Sequence, residues 1–254
     1  MRRALLAGCA VALALPGAAR TNVPLQDDAR RSSLPTLAAR GLAVYCGGAR
    51  GRYVALTFDD GPSRYTPRVL ALLARAHARA TFFLVGNRVR WWPGLVRAEL
   101  AVHAIGNHTW DHARLPGLDR RATYAELSRT QSALVRATGT RPLLFRPPDE
   151  LMSRASSRIA RALGLAVVLW SVDSGDSRPG ATADAVARTV IAHLRPGAIV
   201  LMHDIHSTAV QALPRILRAV RRRRMRAVTV PELVALDPPS HPQLFATRPS
   251  GRCP

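Results

Sequence analysis

The chain has 254 residues, of which 48% are hydrophobic, and this suits one large domain or two small ones with a substantial core. Its 37 basic residues, all arginine, exceed its 16 acidic residues and give a formal charge of +21, which favours an anionic partner such as an envelope polymer. Nucleic acid is not the expected partner, because the five Phe and four Tyr residues are scattered and no stacking platform or zinc-finger spacing is present.

The N-terminal residues have the pattern of a secretory signal peptide. A short basic region precedes the apolar stretch Ala4–Pro16, and small residues end at Ala19. We expect a signal peptide over residues 1–19, since the apolar stretch is too short to span a membrane. A buried N-terminal helix and lipidation at Cys9 are the alternatives. The protein is therefore expected to be secreted or in the cell envelope, with no transmembrane anchor after cleavage.

Two cysteines remain after this cleavage. Cys46 and Cys253 flank the predicted domain, and in an oxidising compartment they could form a disulfide bond that ties its ends together; two free thiols are the alternative. Residues 20–50 show no clear periodicity and are predicted to be a linker. The sequence then predicts one folded catalytic domain over residues 51–236 and a C-terminal tail over residues 237–254.

From Tyr53 onward, apolar runs typical of strands alternate with helical patterns. The predicted strands are Val54–Phe58, Ala80–Val85, Val102–Asn107, Leu143–Arg146, Ala166–Ser171, Ala198–Met202 and Arg226–Thr229. The predicted helices are Thr66–His77, Pro93–Leu100, Arg121–Thr138, Ser153–Leu163, Thr182–His193 and Ala209–Arg223. Such alternation favours an α/β fold with parallel strands, either a small or incomplete (β/α) barrel or an open doubly wound sheet. In both folds, the chemistry gathers beyond the carboxyl ends of the strands.

Two adjacent carboxylates end the first predicted strand. Asp59 and Asp60 follow the apolar run Tyr53–Leu56, and Gly61-Pro62 turns the chain away. Adjacent strand residues point to opposite sides, so one carboxylate could bind a cation while the other accepts a proton. A solvated turn would also explain these residues when they are considered alone.

Two histidines follow the third predicted strand. His108 and His112 are four residues apart, and on one face of a helical turn they could hold a single cation. Core or surface histidines would also explain this spacing. Together with Asp60, the pair predicts a site of two histidines and one carboxylate with open positions for water and substrate. That donor set suits Zn²⁺ and also non-haem Fe(II).

Polar residues also follow the next three predicted strands. Arg146 precedes two prolines and is either structural or holds a carboxylate through a bidentate pair. Asp173 and Asp176 follow the fifth strand. His203 ends the sixth strand and could deliver a proton, provided that a neighbouring acid fixes and charges its ring.

Five segments carry these residues in order along the chain. They are Thr57-Phe58-Asp59-Asp60-Gly61, His108-Thr109-Trp110-Asp111-His112, Arg146-Pro147-Pro148, Asp173-Ser174-Gly175-Asp176 and Leu201-Met202-His203-Asp204. Together they resemble the five motifs of the polysaccharide deacetylases, the NodB-homology group also called carbohydrate esterase family 4. The resemblance covers roughly residues 52–236. It implies a deformed (β/α) barrel of about seven parallel strands and metal-dependent removal of acetyl groups from envelope or plant polysaccharides.

The resemblance also implies a role for each residue. Asp59 would be the general base oriented by Arg146, and His203 would be the general acid, with Asp176 a better tuning partner than Asp173. The implied metal ligands are Asp60, His108 and His112. The implied substrate contacts are Pro148, Asp149 and Leu201. The implied cofactor is a divalent metal, Zn²⁺ first, with Co²⁺, Mn²⁺ or Ni²⁺ as alternatives.

The chain departs from the family pattern at two places. Asp149 and Glu150 stand where an aromatic residue and a glycine are usual, and Ser177 stands where a tryptophan is usual. These changes remove apolar lining from the expected sugar groove and add carboxylates. They bear on the substrate and the rate more than on metal binding.

The expected function is that of a secreted hydrolase that removes N-acetyl groups from cell-wall glycans, with peptidoglycan as the first expectation. Deacetylation of chitooligosaccharides or of acetylxylan is an alternative within the same family. A catalytically impaired homologue that only binds the wall and a non-haem iron oxygenase are alternatives from other classes. We expect a monomer.

Overall fold

The computed structural model describes residues 33–239. Its strands are β1 (Ala43–Val44), β2 (Tyr53–Asp59), β3 (Thr81–Leu84), β4 (Ala104–Asn107), β5 (Leu144–Phe145), β6 (Ala166–Val168), β7 (Val172–Asp173), β8 (Ile199–His203) and β9 (Arg226–Val228). Its helices are α1 (Ser33–Arg40), α2 (Thr66–Arg75), α3 (Gly86–Val89), α4 (Pro93–Val102), α5 (Arg120–Thr138), α6 (Arg154–Ala162), α7 (Ala183–His193), α8 (Ser207–Arg222) and α9 (Val230–Leu236). The predicted signal peptide lies outside the described residues. Within them, no helix is both long and apolar enough to cross a membrane.

The nine strands form one parallel sheet that curls towards a barrel. They pair in the order β1-β6-β5-β4-β3-β2-β8-β7, and β9 pairs with the first half of β2. Although β6 and β7 lie near opposite ends of this order, only residues 169–171 separate them in the chain. A bridge between Cys46 and Ala198 also brings the segment after β1 to the start of β8. The predicted deformed (β/α) barrel is therefore confirmed, and the sheet is not the open doubly wound alternative.

The structure changes one predicted strand and adds two short ones, β1 and β7. The run Ala166–Ser171 was expected to be a single strand, but it divides into β6 and the approach to β7, because the chain crosses there from one edge of the sheet to the other. Residues 166–170 are all apolar, so the sequence gives no sign of the break after Val168. β1 has only two residues, too few for a pattern of alternation.

The predicted linker over residues 20–50 contains regular structure where it is described. α1 buries Leu34 and Ala38, which are four residues apart, in a core cluster with Val44 of β1. Two buried positions in eight residues are a weak signal for a helix, and the packing supplies most of its stability. Cys46 is buried and disulfide-bonded. Its predicted partner Cys253 lies outside the described residues, so this pairing stays a prediction.

The alternation of side chains along β2 positions the candidate site. Val54, Leu56 and Phe58 pack into the core cluster under the outer helices. Thr57 and Asp59 lie on the opposite face of the strand, which is the inside of the barrel. The carboxylate that ends β2 therefore enters the barrel mouth from a rigid, buried strand.

Candidate active site

A cavity of about 390 Å³ lies at the carboxyl ends of the strands. Its lining consists of Asp59, Asp60, His108, His112, Pro147, Asp149, Glu150, Trp170, Asp173, Ser177, Leu201 and His203. These residues come from segments that are far apart in the sequence. Four of the five motifs contribute acidic or imidazole side chains, and Asp149 and Glu150 follow the third motif. The prediction that polar residues after successive strands gather at one mouth agrees with this arrangement.

Asp60, His108 and His112 come together at the base of this cavity. Asp60 Oδ1 lies 3.3 Å from His108 Nε2 and 3.2 Å from His112 Nε2. One possible ligand atom from each residue lies within 4.8 Å of the others. Among residues 33–239, this is the group of His, Cys, Asp or Glu side chains that is close enough together to hold a metal ion. Asp60 Oδ1 is buried and accepts no hydrogen bond of acceptable geometry, so a buried carboxylate oxygen is left facing two imidazoles.

The backbone at this cluster is a loop, and the helical turn expected for the two histidines is wrong. Thr109 and His112 have φ values of 63° and 64°, in the left-handed region. The loop is attached to α5, because Glu126 Oε2 accepts hydrogen bonds from the backbone N–H groups of Trp110 and Asp111. This tight loop, and not the pitch of a helix, brings the two rings together.

Asp60 also departs from the strand geometry expected of it. Its φ of 72° lies in the left-handed region, so the alternation of side chains stops after Asp59. Both carboxylates consequently line the same cavity, although they have different partners. The Arg88 guanidinium donates to the backbone carbonyl of Asp60 at 2.6 Å, which holds this turn in place.

The donor set fits a divalent metal ion. His108 Nδ1 lies 2.7 Å from the carbonyl oxygen of Arg146, and a carbonyl accepts only from Nδ1–H. That tautomer leaves the lone pair on Nε2 directed at Asp60, as is usual for histidines that bind metals. Burial alone would raise the pKa of Asp60, but with no metal bound a protonated His108 lowers that pKa well below its ordinary value; a bound cation would take the place of that proton. Asp60 is thus an anionic ligand.

Arg146 fixes the second carboxylate. It is fully buried and donates from one terminal nitrogen to Asp59 Oδ1 and to Thr57 Oγ1, at 2.7 Å each. Its other nitrogens donate to the carbonyls of Val168 and Leu169 at 3.1 and 3.0 Å. The contact with Asp59 is therefore a single hydrogen bond and not the bidentate pair considered from the sequence. Asp59 Oδ1 thus accepts from Arg146, and Oδ2 remains available to accept a proton.

Asp176 holds His203, which lies on β8 beside Asp59 of β2. Its Oδ1 lies 2.9 Å from His203 Nδ1, and its Oδ2 accepts from the His203 backbone N–H at 2.8 Å. Burial alone would lower the pKa of His203, but the hydrogen bond and charge of Asp176 raise it to about 9. Asp173 has a different role, because it is exposed and pairs with Arg178 at 3.0 Å. The preference for Asp176 as the partner of His203 agrees with this geometry.

The three expected substrate contacts differ in position. Asp149 and Leu201 line the cavity. Pro148 does not, and the neighbouring Pro147 lines it instead. Asp149 and Glu150 have φ values of 55° and 60°, and Asp149 Oδ2 lies 3.3 Å from Arg114 Nε at the exposed rim. Both residues therefore have left-handed backbone conformations, although neither is glycine.

Sequence reasoning missed a buried acid behind the metal cluster. Asp204 is fully buried, and its Oδ2 accepts a hydrogen bond from the Thr66 hydroxyl. Burial raises its pKa to about 7. A Cβ at position 61 would lie 2.6 Å from Asp204 Oδ1, so this acid explains why glycine follows Asp60. The sequence placed Asp204 within a motif but gave no sign of this contact.

Comparison with known proteins agrees with this geometry. Residues 47–168 match the family model described as polysaccharide deacetylase. A peptidoglycan-N-acetylglucosamine deacetylase of Bacillus cereus is 37% identical over 191 residues, which cover 72% of this chain and 88% of that protein. This chain belongs to the polysaccharide deacetylase family. A family 4 carbohydrate esterase from Streptomyces lividans, solved with acetate, is 35% identical with a TM-score of 0.66, over 71% of this chain and 93% of that one.

Longer relatives extend beyond this polysaccharide deacetylase domain. The peptidoglycan-N-acetylglucosamine deacetylase PgdA of Listeria monocytogenes is 40% identical over 182 residues. These residues are 71% of this chain but only 38% of the Listeria protein. The similarity to PgdA therefore concerns the domain that contains the cavity and not the remainder of that protein.

Proposed function

We propose that this protein is a secreted, metal-dependent peptidoglycan deacetylase that hydrolyses the N-acetyl groups of cell-wall sugars. The observation that supports this most is the arrangement of the cavity. A buried carboxylate held by Arg146 and an imidazole held by Asp176 line the same space as the cluster of Asp60, His108 and His112. An amide can be hydrolysed only if a nucleophile is activated and the amine leaves protonated, and the cavity contains one group for each task.

Asp60, His108 and His112 would hold the metal ion. A divalent ion supplies Lewis acidity for the acetyl carbonyl and makes a water molecule more acidic. Three protein ligands with open positions are typical of catalytic zinc sites, and we take Zn²⁺ as the first expectation, with Co²⁺, Mn²⁺ or Ni²⁺ as alternatives. The buried Oδ1 atom of Asp60 and the tautomer of His108 pre-arrange these ligands.

Asp59 would act as the general base. Its Oδ1 is held by Arg146, so Oδ2 can accept the proton of the attacking water. Oδ2 lies 3.8 Å from His108 Nε2, which places it beside the proposed ligands. The backbone N–H of Asp149 at the rim would donate to the oxyanion that forms on the acetyl carbonyl.

His203 would act as the general acid. Its pKa of about 9 keeps the ring protonated at neutral pH. Asp176 occupies Nδ1, so Nε2–H is the proton available to the leaving amine. The amine then departs neutral, and the acetate remains. Acid and base are separate residues on different strands, and each is oriented by a buried partner.

Peptidoglycan is proposed as the substrate because relatives named for this activity match the domain over most of its length. The test measures acetate release by the purified protein from peptidoglycan, chitin oligomers and acetylxylan, with and without a chelator. We expect release from peptidoglycan that stops on chelation and returns with added Zn²⁺. Release of acetate only from chitin oligomers, or only from acetylxylan, would show that this polymer is the substrate and that peptidoglycan is not. No release from any of them by the metal-loaded protein, with retention on insoluble peptidoglycan, would indicate a wall-binding homologue without turnover.

A further inference from the structure

A second cavity, of about 630 Å³, lies at the opposite end of the sheet. It is formed by the end of α2, the loop that leads to β3, the last turns of α8 and the start of β9. Arg226 in its lining pairs in register with Tyr53, the first residue of β2, whereas Asp59 is the last residue of the same strand. Six residues at roughly 3.3 Å each place the two cavities about 20 Å apart, so the second cavity is separate from the proposed active site.

Arginine dominates the rim of this second cavity. The rim carries Arg75, Arg79, Arg218, Arg221, Arg224 and Arg226, and no acidic residue lines it. Arg79 pairs with Glu232. The other five are exposed, and within residues 33–239 none of them has an acidic side chain at ion-pair distance. Like charges held together without counter-charges repel each other, and a bound anion removes that repulsion.

The floor of the cavity is apolar. Leu217, Val220 and Met225 line it and are 8%, 4% and 7% exposed, and Ala78 lies beside them. No Phe, Tyr or Trp residue lines the cavity, and its single imidazole, His77, does not make the row of aromatic side chains on which successive bases of a nucleic acid stack. A sugar- or polyol-phosphate polymer would satisfy the arginines but would leave the apolar floor uncovered. A ligand that carries both a phosphate and an aliphatic chain matches both parts of the lining.

We propose that this cavity binds the phosphate head group of an acidic phospholipid at a membrane surface. The arginine rim contacts the phosphate, and the first carbons of the lipid chain cover the floor formed by Leu217, Val220 and Met225. Clustered arginines near an anionic leaflet are a known source of membrane attraction, and the apolar contact adds to it. This binding does not depend on the proposed deacetylase activity.

The test compares two triple variants of the full chain. One is Arg75→Gln/Arg218→Gln/Arg221→Gln in the cavity rim. The matched control is Arg154→Gln/Arg158→Gln/Arg161→Gln, which removes three exposed arginines of α6 that also lack acidic partners among the described residues. Both variants lose the same charge and keep the same N-terminal residues. Thermal unfolding checks that both fold.

Partitioning is measured on vesicles of equal parts phosphatidylglycerol and phosphatidylcholine, and on vesicles of phosphatidylcholine alone. We expect the wild type to bind only the acidic vesicles, the cavity variant to bind them about 100-fold more weakly, and the control to stay within about threefold of wild type. Equal losses in the two variants would show attraction by net charge alone and would overturn the proposal. Equal binding to neutral vesicles would also overturn it. Tight, arginine-dependent binding of soluble glycerol phosphate without vesicle binding would make the ligand a free phosphate and reject the lipid.

Discussion

Replacing Asp176 by Asn tests the proposed general acid most directly. Asn keeps the size of the side chain and can still accept from His203 Nδ1–H, but it removes the negative charge that favours the imidazolium. The pKa of His203 is about 9, against an ordinary value of 6.5, because Asp176 overcomes the opposing effect of burial. The difference of about 2.5 pH units corresponds to about 3 kcal/mol in favour of the charged ring. Without Asp176, burial still lowers the pKa of His203 while the charges of Asp59 and Asp60 still raise it, so the pKa should fall towards its ordinary value of 6.5.

The consequence is a deficit that grows with pH. At pH 6, a ring with a pKa of 6.5 is still about three quarters protonated, so the loss of the proton should lower the kcat of the variant by less than about twofold. At pH 8, about nine tenths of the wild-type rings but only about 3% of the variant rings carry the proton, a ratio of about 30. The sign follows from the role of His203. A general acid is active when it is protonated, so its activity is present below its raised pKa and is lost as pH rises through that pKa.

The assay is the ratio of variant to wild-type kcat for acetate release between pH 6 and pH 8, at equal metal content, so that the ion shifts the pKa of His203 alike in both proteins. Asp173→Asn is the matched control, because Asp173 is exposed and pairs with Arg178 instead of His203. Its ratio should not change with pH. A constant ratio for Asp176→Asn over the same range would refute the assignment of His203 as an acid charged by Asp176.

Three further outcomes are expected. His108→Ala should lose stoichiometric binding of a divalent ion, measured by elemental analysis, because two remaining ligands are too few for a stable site. Asp59→Asn should lower kcat by roughly 10²–10⁴-fold with metal content unchanged, whereas Asp60→Asn should lose metal and recover activity with excess ion; the reverse pattern would exchange their roles. Denatured, unreduced exported protein should show no free thiol on titration, and two thiols would exclude the bond between Cys46 and Cys253.

The sequence predicts best the positions of side chains that end the buried strands. Apolar runs place β2 and β8 in the core, and the residues that end them, Asp59 and His203, must then lie at the same edge of a parallel sheet. β2 and β8 pair directly, with Asp59 opposite His203 in register. Periodicity and motif order therefore suffice to predict that these two side chains are close together.

The loop geometry of the site could not be predicted in this way. The sequence suggests a helical turn for His108 and His112, but three left-handed residues, Asp60, Thr109 and His112, set the cluster. None of them is glycine, so composition gives no sign of the conformation. It is maintained by contacts from distant residues, such as Glu126 of α5, and such contacts exist only after the barrel has formed.

The two cavities divide the molecule by charge. The proposed active site contains the carboxylates of Asp59, Asp60 and Asp149 at the carboxyl ends of the strands, whereas the arginine rim surrounds the amino end of β9. A protein held to an acidic leaflet by that rim would present its catalytic mouth about 20 Å further from the bilayer, on the side where wall glycan lies. Acidic polymers would be attracted to the same rim and would compete with the leaflet for it.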